Sequence, residues 1–206
     1  MEDVRNLKAL QLDALREVAN IGAGHAATAL SQLTKQTIMI TVPRIEVTRI
    51  EDVPGLMGDA DAAVVAVLMH MLGDLTGRTL LMLPEEDARM LCDLLNRHEL
   101  GDTEDFGAFE QSSIKEAANI LGGAYMNALA DFMGMMLLPS VPSLVIDLAG
   151  AVVTTAYLNF GHERDFVLCV QTDFAFQEVN KTLSGQFLLL PDMASLKAIF
   201  DAVRVD

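Results

Sequence analysis

Tryptophan is absent from this chain, tyrosine and cysteine occur twice each, and 14 Lys and Arg face 29 Asp and Glu, a formal charge of −15. Nucleic acid and anionic lipid both need cations to neutralise phosphate, so neither is an expected partner. No aromatic platform is present on which bases could stack. Cys92 and Cys169 lie far apart in apolar surroundings, which reads as two buried free thiols of a reducing cytosol. No stretch reaches the roughly 18 apolar residues that suggest a membrane span. The opening MEDVRNLKALQLDALREV is charged and amphipathic, without the apolar run of a signal peptide, so a soluble cytoplasmic protein is expected. His25, His70, His98 and His162 are scattered with no ligand spacing to either cysteine, and no metal site is expected.

What the chain does have is a 51% hydrophobic composition over 206 residues, enough for a substantial core, and an internal duplication. Asp13, Glu17, Asn20 and Pro43 recur 99 positions later as Ser112, Glu116, Asn119 and Pro142. Both flanking segments carry helical periodicity. At about 100° per residue, Leu15, Val18, Gly22, Ala26, Leu30 and Leu33 fall on one side of a helix over 8–33. Asp13, Glu17, Asn20, Gly24 and Ser31 take the opposite stripe. Over 107–133, Ile114, Ala117, Leu121, Tyr125 and Phe132 face one way, and Ser112, Glu116, Asn119 and Gly123 the other. Gly24 and Gly123 sit where alanine would be favoured by up to ~1 kcal/mol, which suggests close approach by another surface.

Each helix is followed by strands broken at a proline, TIMITVPRIEV (37–47) and MLLPSVPSLVI (136–146). Further apolar runs lie at 62–71 and 165–174. LTGRTLLMLPEE and LSGQFLLLPDM both predict a tight turn at Gly77 or Gly185, a buried strand, and a proline opening a helix over 85–96 or 192–203. Here the offset has grown from 99 to 108, so about nine residues were gained between Pro142 and Gly185, with NFGHER (159–164) as the expected place. Met133, Met135 and Met136 read as adaptable core packing. The repeats span about 8–97 and 107–204, joined through HELGDTEDFG (98–107). We expect one α+β domain over 1–206, in which two pseudo-symmetric repeats share one mainly antiparallel sheet behind two long exposed helices.

A carboxylate three residues before an amide shares one helical stripe with it. Asn has no useful proton-transfer pKa, but its carbonyl oxygen and NH2 can orient a water. Orientation alone suffices only where the leaving group needs no proton and a metal is supplied from elsewhere. An acyl phosphate meets both conditions. The Glu would hold a cation of the partner, a lysine. Between the copies Asp13 became Ser112, Gly22 became Leu121 and His25 became Ala124, while Glu, Asn and Pro stayed. Two other patterns explain less. GAGHAA (22–27) fits a dinucleotide fingerprint with Glu46 beyond it, but the residues before it are helical where a strand is required. A Glu17–Glu116 hydrolase pair would leave both asparagines without a role.

The spaced set Asp/Ser, Glu, Asn and Pro resembles the signature of the CheC, CheX and FliY chemotaxis phosphatases. EVANIGAGHAATALSQL and EAANILGGAYMNALADF are similar to the two CheC helices, and the resemblance runs along the whole chain. Two complete copies, with no further domain of the flagellar-switch type, point to CheC. The resemblance implies hydrolysis of the phospho-aspartate of a CheY-type response regulator. Glu17 and Glu116 would pair with a regulator lysine, and Asn20 and Asn119 would place the attacking water. Asp13, Ser112, Pro43 and Pro142 would support them. Mg2+ would belong to the regulator, with no cofactor held by this chain. PSVPSLVIDLAGAV resembles the CheC region implicated in contacting CheD, a receptor deamidase, and makes Asp147 a partner-binding candidate. The alternative is a non-enzymatic adaptor for CheD or receptor complexes. Because an internal duplication can substitute for a dimer, a monomer is expected.

Overall fold

The computed structural model describes residues 9–158 and 166–202. Two helices of 26 residues, α1 (Ala9–Thr34) and α4 (Ala108–Met133), carry the duplicated stripes. Leu15, Val18, Ala26 and Leu30 of α1 are buried, as are Ile114, Ala117, Leu121 and Tyr125 of α4. The helices approach each other closely at Gly22, where a Cβ would lie 2.6 Å from Tyr125 Cδ1 and 3.0 Å from Tyr125 Cα. Tyr125 then meets Phe187 in a T-shaped arrangement with ring centroids 4.8 Å apart and shares a 3.0 Å hydrogen bond with Thr172 Oγ1. A buried phenol paired in this way fixes the helix pair over the sheet.

The first repeat continues as β1 (Ile38–Thr41), β2 (Ile45–Arg49), a short turn of 3-10 helix, α2 (Val53–Leu56), β3 (Ala63–Gly73), β4 (Gly77–Pro84) and α3 (Glu85–Asn96). The second has β5 (Leu137–Pro139), β6 (Ser143–Leu148), α5 (Ala149–Leu158), β7 (Phe166–Phe176), β8 (Lys181–Pro191) and α6 (Met193–Ala202). All strand pairings are antiparallel, in the order β1-β7-β8-β4-β3-β5, with β2 also on β7 and β6 also on β3. Each repeat therefore lends its proline-broken strands to the long hairpin of the other. Completing the sheet takes strands from both.

Val65, Val67, Leu81, Leu83, Phe174 and Phe187 face α1, α3 and α4. Val64, Ala66, Leu80, Met82 and Leu188 face Val53 and the Val152, Val153 and Ala156 side of α5. Burial on both faces explains why β3 reads as an unbroken apolar run rather than an alternation.

Several expectations need correction. Gly185 lies inside β8 opposite Thr172, not in a turn. The hairpin turns earlier, at 177–180, where Asn180 takes a positive φ of 49°. Leu33 and Phe132, 99 apart, are 55% and 45% exposed although their helical angle is that of the core residues. Both stand in the last turn of their helix, where no described element covers them. Met136 is exposed, while Met133 and Met135 pack against the core. Helix α5 was not expected at all, because AGAVVTTAYL is rich in the β-branched residues that favour strands. The insertion assigned to 159–164 lies outside the described residues.

The connection into α4 is held by Asp93, a buried carboxylate that accepts from Gly101 N–H (2.7 Å), Thr103 N–H (2.9 Å) and Thr103 Oγ1 (2.6 Å). Arg89 adds a 3.3 Å bond to the Thr103 carbonyl, an ion pair with Glu85 and a place over the Phe106 ring. Asp93→Ala strands three donors and is expected to lower stability by roughly 2–4 kcal/mol in urea unfolding. A loss below about 0.5 kcal/mol, the usual surface range, would contradict that role.

Both cysteines are free and buried. Burial, helped by Glu110 and Asp93 beside Cys92 and by Glu46 beside Cys169, pushes each thiol up from 9.0 to about 12. The folded chain thus favours the protonated thiol. This contribution to stability is intact below pH 9 and is lost as pH climbs from about 9 towards about 12. Alkylation at pH 8 should follow global unfolding and not precede it.

Candidate functional site

Asp13, Glu17 and Asn20 project from the exposed side of α1, opposite the residues that bury against α4 and the sheet. Ser112 and Glu116 occupy the matching positions on α4 and are exposed; Asn119 is half-buried. The helices thereby expose two acid–amide stripes, each fixed from behind by the core. Among the described residues, no hydrogen bond or ion pair engages the side chains of Glu17, Asn20, Glu116 or Asn119. Glu17, Asn20 and Glu116 are open to solvent and Asn119 is partly so, which leaves their donors and acceptors for a partner.

Gly24 continues the first stripe, and a Cβ there would meet nothing within 4 Å; at Gly123 it would just touch Pro139 Cγ at 4.0 Å. No described residue crowds either glycine, so the close approach expected from sequence is not made among the described residues. Ser31, assigned to the polar stripe, binds the Ile38 carbonyl (3.2 Å) and N–H (3.0 Å) and pins β1 to α1. The side chain serves the scaffold.

Pro43 is exposed in the link between β1 and β2, and Pro142 is half-buried in the link between β5 and β6. The Pro43 carbonyl accepts from Arg16 Nη2 at 3.2 Å, so the proline link lies beside the turn of α1 that precedes Asn20. Arg16 was missed by sequence reasoning, and only the structure brings it to Pro43. Asp147 is exposed on β6, where its Oδ1 accepts from Leu148 N–H at 2.8 Å. Val145 is exposed on the same face of β6, and Ile146 and Leu148 on the other. Among the described residues, no group of three His, Cys, Asp or Glu side chains converges as metal ligands, and no helix is long and apolar enough to cross a membrane.

The chain matches FliY of Thermotoga maritima with a TM-score of 0.78 at 21% identity, covering 96% of this chain and 98% of that one. The fold is that of the FliY type. The CheC-like family matches residues 10–47 and 109–146, two windows that each hold one acid–amide stripe and its proline. The CheY-P phosphatase CheC of Bacillus subtilis is 34% identical over 205 residues, 98% of both chains. The flagellar motor switch phosphatase FliY of the same organism is 27% identical over 129 residues, 62% of this chain and 33% of that protein. The chain belongs to the CheC-like family.

Proposed function

We infer that this chain is a chemotaxis phosphatase that removes the phosphoryl group from the phospho-aspartate of a CheY-type response regulator. The observation that carries the reading is the duplicated stripe, two acid–amide pairs carried on two long helices with no hydrogen-bond or ion-pair partner among the described residues. Support also comes from the near full-length likeness to a protein named CheY-P phosphatase.

Glu17 or Glu116 binds a lysine of the regulator and sets the helix over the phosphorylated pocket. Asn20 or Asn119 then takes one water through its carbonyl and NH2 and holds it in line with phosphorus. Attack forms the new P–O bond as the aspartyl oxygen leaves as carboxylate, which needs no proton. The magnesium that balances the phosphoryl charge belongs to the substrate. An exposed geometry suits this chemistry, since the closed pocket is the partner's. Asp13 and Ser112 lie one turn before the Glu, and Pro43 and Pro142 shape the links beside the helices.

The test is release of inorganic phosphate from a purified CheY-type regulator charged with acetyl phosphate. The wild type should speed release well beyond spontaneous loss. An adaptor would leave the rate unchanged while still binding its partners.

A second contact is favoured by β6, where Asp147 stands among exposed apolar residues on an open edge strand. We place the docking of a CheD-type deamidase there. Asp147→Lys is expected to weaken that binding at least about tenfold, the scale of a reversed charge in a docked interface. Phosphatase activity should stay within twofold. Unchanged affinity by calorimetry would remove Asp147 from the contact.

A further inference from the structure

The two proline links are built differently, although the sequence makes them equivalent. In the first, Val42 is 3% exposed in the main core and the Arg44 carbonyl accepts Gln171 N–H at 2.9 Å. Between these anchors, the Pro43 carbonyl is held by Arg16. In the second, Val141 is 88% exposed, and the chain before it is tied to His70 through Ser140. The residue matching Arg16 is Lys115. Among the described residues, no hydrogen bond joins Lys115 to Pro142.

We propose that Arg16 is a positioning residue of the first site, holding the Pro43 carbonyl so that the β1–β2 link stays fixed beside Asn20, and that the first site is pre-organised where the second is not. The proposal rests on the phosphatase reading above. Arg16 precedes Glu17 and lies one helical turn before Asn20, so its guanidinium runs from the acid–amide stripe to the link. Proline has no N–H, which leaves the Pro43 carbonyl as the backbone handle at that point. The guanidinium reaches it with one donor of a rigid fork, a bond that Lys115 does not make to Pro142 among the described residues. Alignment is most of what a water-positioning catalyst supplies, so a wall that drifts beside Asn20 lowers turnover without removing any reacting group.

Single-site proteins separate this from the alternatives. In the Asn119→Ala background only the first site works, and in Asn20→Ala only the second. The first background should retain more activity than the second. Within it, Arg16→Ala is expected to lower kcat about five- to tenfold, with KM within twofold, the scale of losing one hydrogen-bonded clamp. Arg16→Lys should recover at least half of that loss. Lys115→Ala in the other background should leave kcat within twofold. Hydrogen exchange on the free protein should show faster exchange at 44–46 in Arg16→Ala and no change at 143–145 in Lys115→Ala. A raised KM at constant kcat would make Arg16 a docking cation and overturn the proposal. So would unchanged exchange at 44–46, an equal effect of Lys115→Ala, or a more active second site. Failure of the phosphatase reading shows itself separately, as a wild type that does not accelerate phosphate loss, and the exchange measurement still decides the clamp.

Discussion

Replacing Asn20 and Asn119 together by alanine is expected to return phosphate loss to nearly its spontaneous rate. Alanine keeps both helices intact, since it is the best helix former and Asn20 is exposed. What disappears is the amide that orients water. A hundredfold fall in kcat corresponds to about 2.7 kcal/mol of barrier, well within what two directed hydrogen bonds to an attacking water supply. Regulator binding should survive, because Glu17 and Glu116 remain. Each single variant should keep substantial activity through the other stripe. Steady-state release of phosphate, with circular dichroism to show the helices unchanged, checks all three expectations. A double variant at half the wild-type rate would show that the asparagines do not position the nucleophile.

Gly77→Ala is expected to cost more stability than Asp93→Ala. Gly77 opens β4 at φ 154° and pairs with Pro191 of β8, the neighbouring strand from the other repeat. A Cβ there would strike the Leu190 carbonyl oxygen and lie 2.6 Å from Pro191 Cα. Both are backbone atoms of a paired strand, so neither can swing aside. The substitution combines a disfavoured backbone conformation with a clash in the middle of the sheet, and a loss of roughly 3–5 kcal/mol is expected. The hairpin of one repeat is also the platform for strands of the other, so the loss should appear in a single cooperative transition. Thermal melts and urea titrations give the number. A loss below about 1 kcal/mol would mean that β4 and β8 separate easily there.

The long helices were legible because burial on one side and solvent on the other impose a 3.6-residue period that 26 residues display several times over. The helix over 85–96 was equally clear, since Pro84 cannot continue a strand ladder and three acidic residues follow it. What the sequence hid were relations between distant segments. Nothing local says that β1 and β2 pair with β7, or that β5 and β6 pair with β3. Nor does local pattern separate the buried Val42 from the exposed Val141, which occupy the same place in the repeat. Leu33 and Phe132 show the same limit, because helical angle gives a face but not where the covering element ends. The acid–amide stripes were found through duplication. Arg16 was not, because its contact spans 27 positions and depends on where the β1–β2 link settles.

Labour is divided within each stripe, with the acid docking the regulator and the amide aiming the water. Measuring kcat and KM side by side for Glu17→Ala/Glu116→Ala and Asn20→Ala/Asn119→Ala, on one phosphorylated regulator, tests that division most directly. The amide pair should lose kcat with KM nearly unchanged, while the acid pair should lose affinity as a raised KM. If both pairs alter the same parameter to the same extent, or neither alters any, the stripes do not work as described.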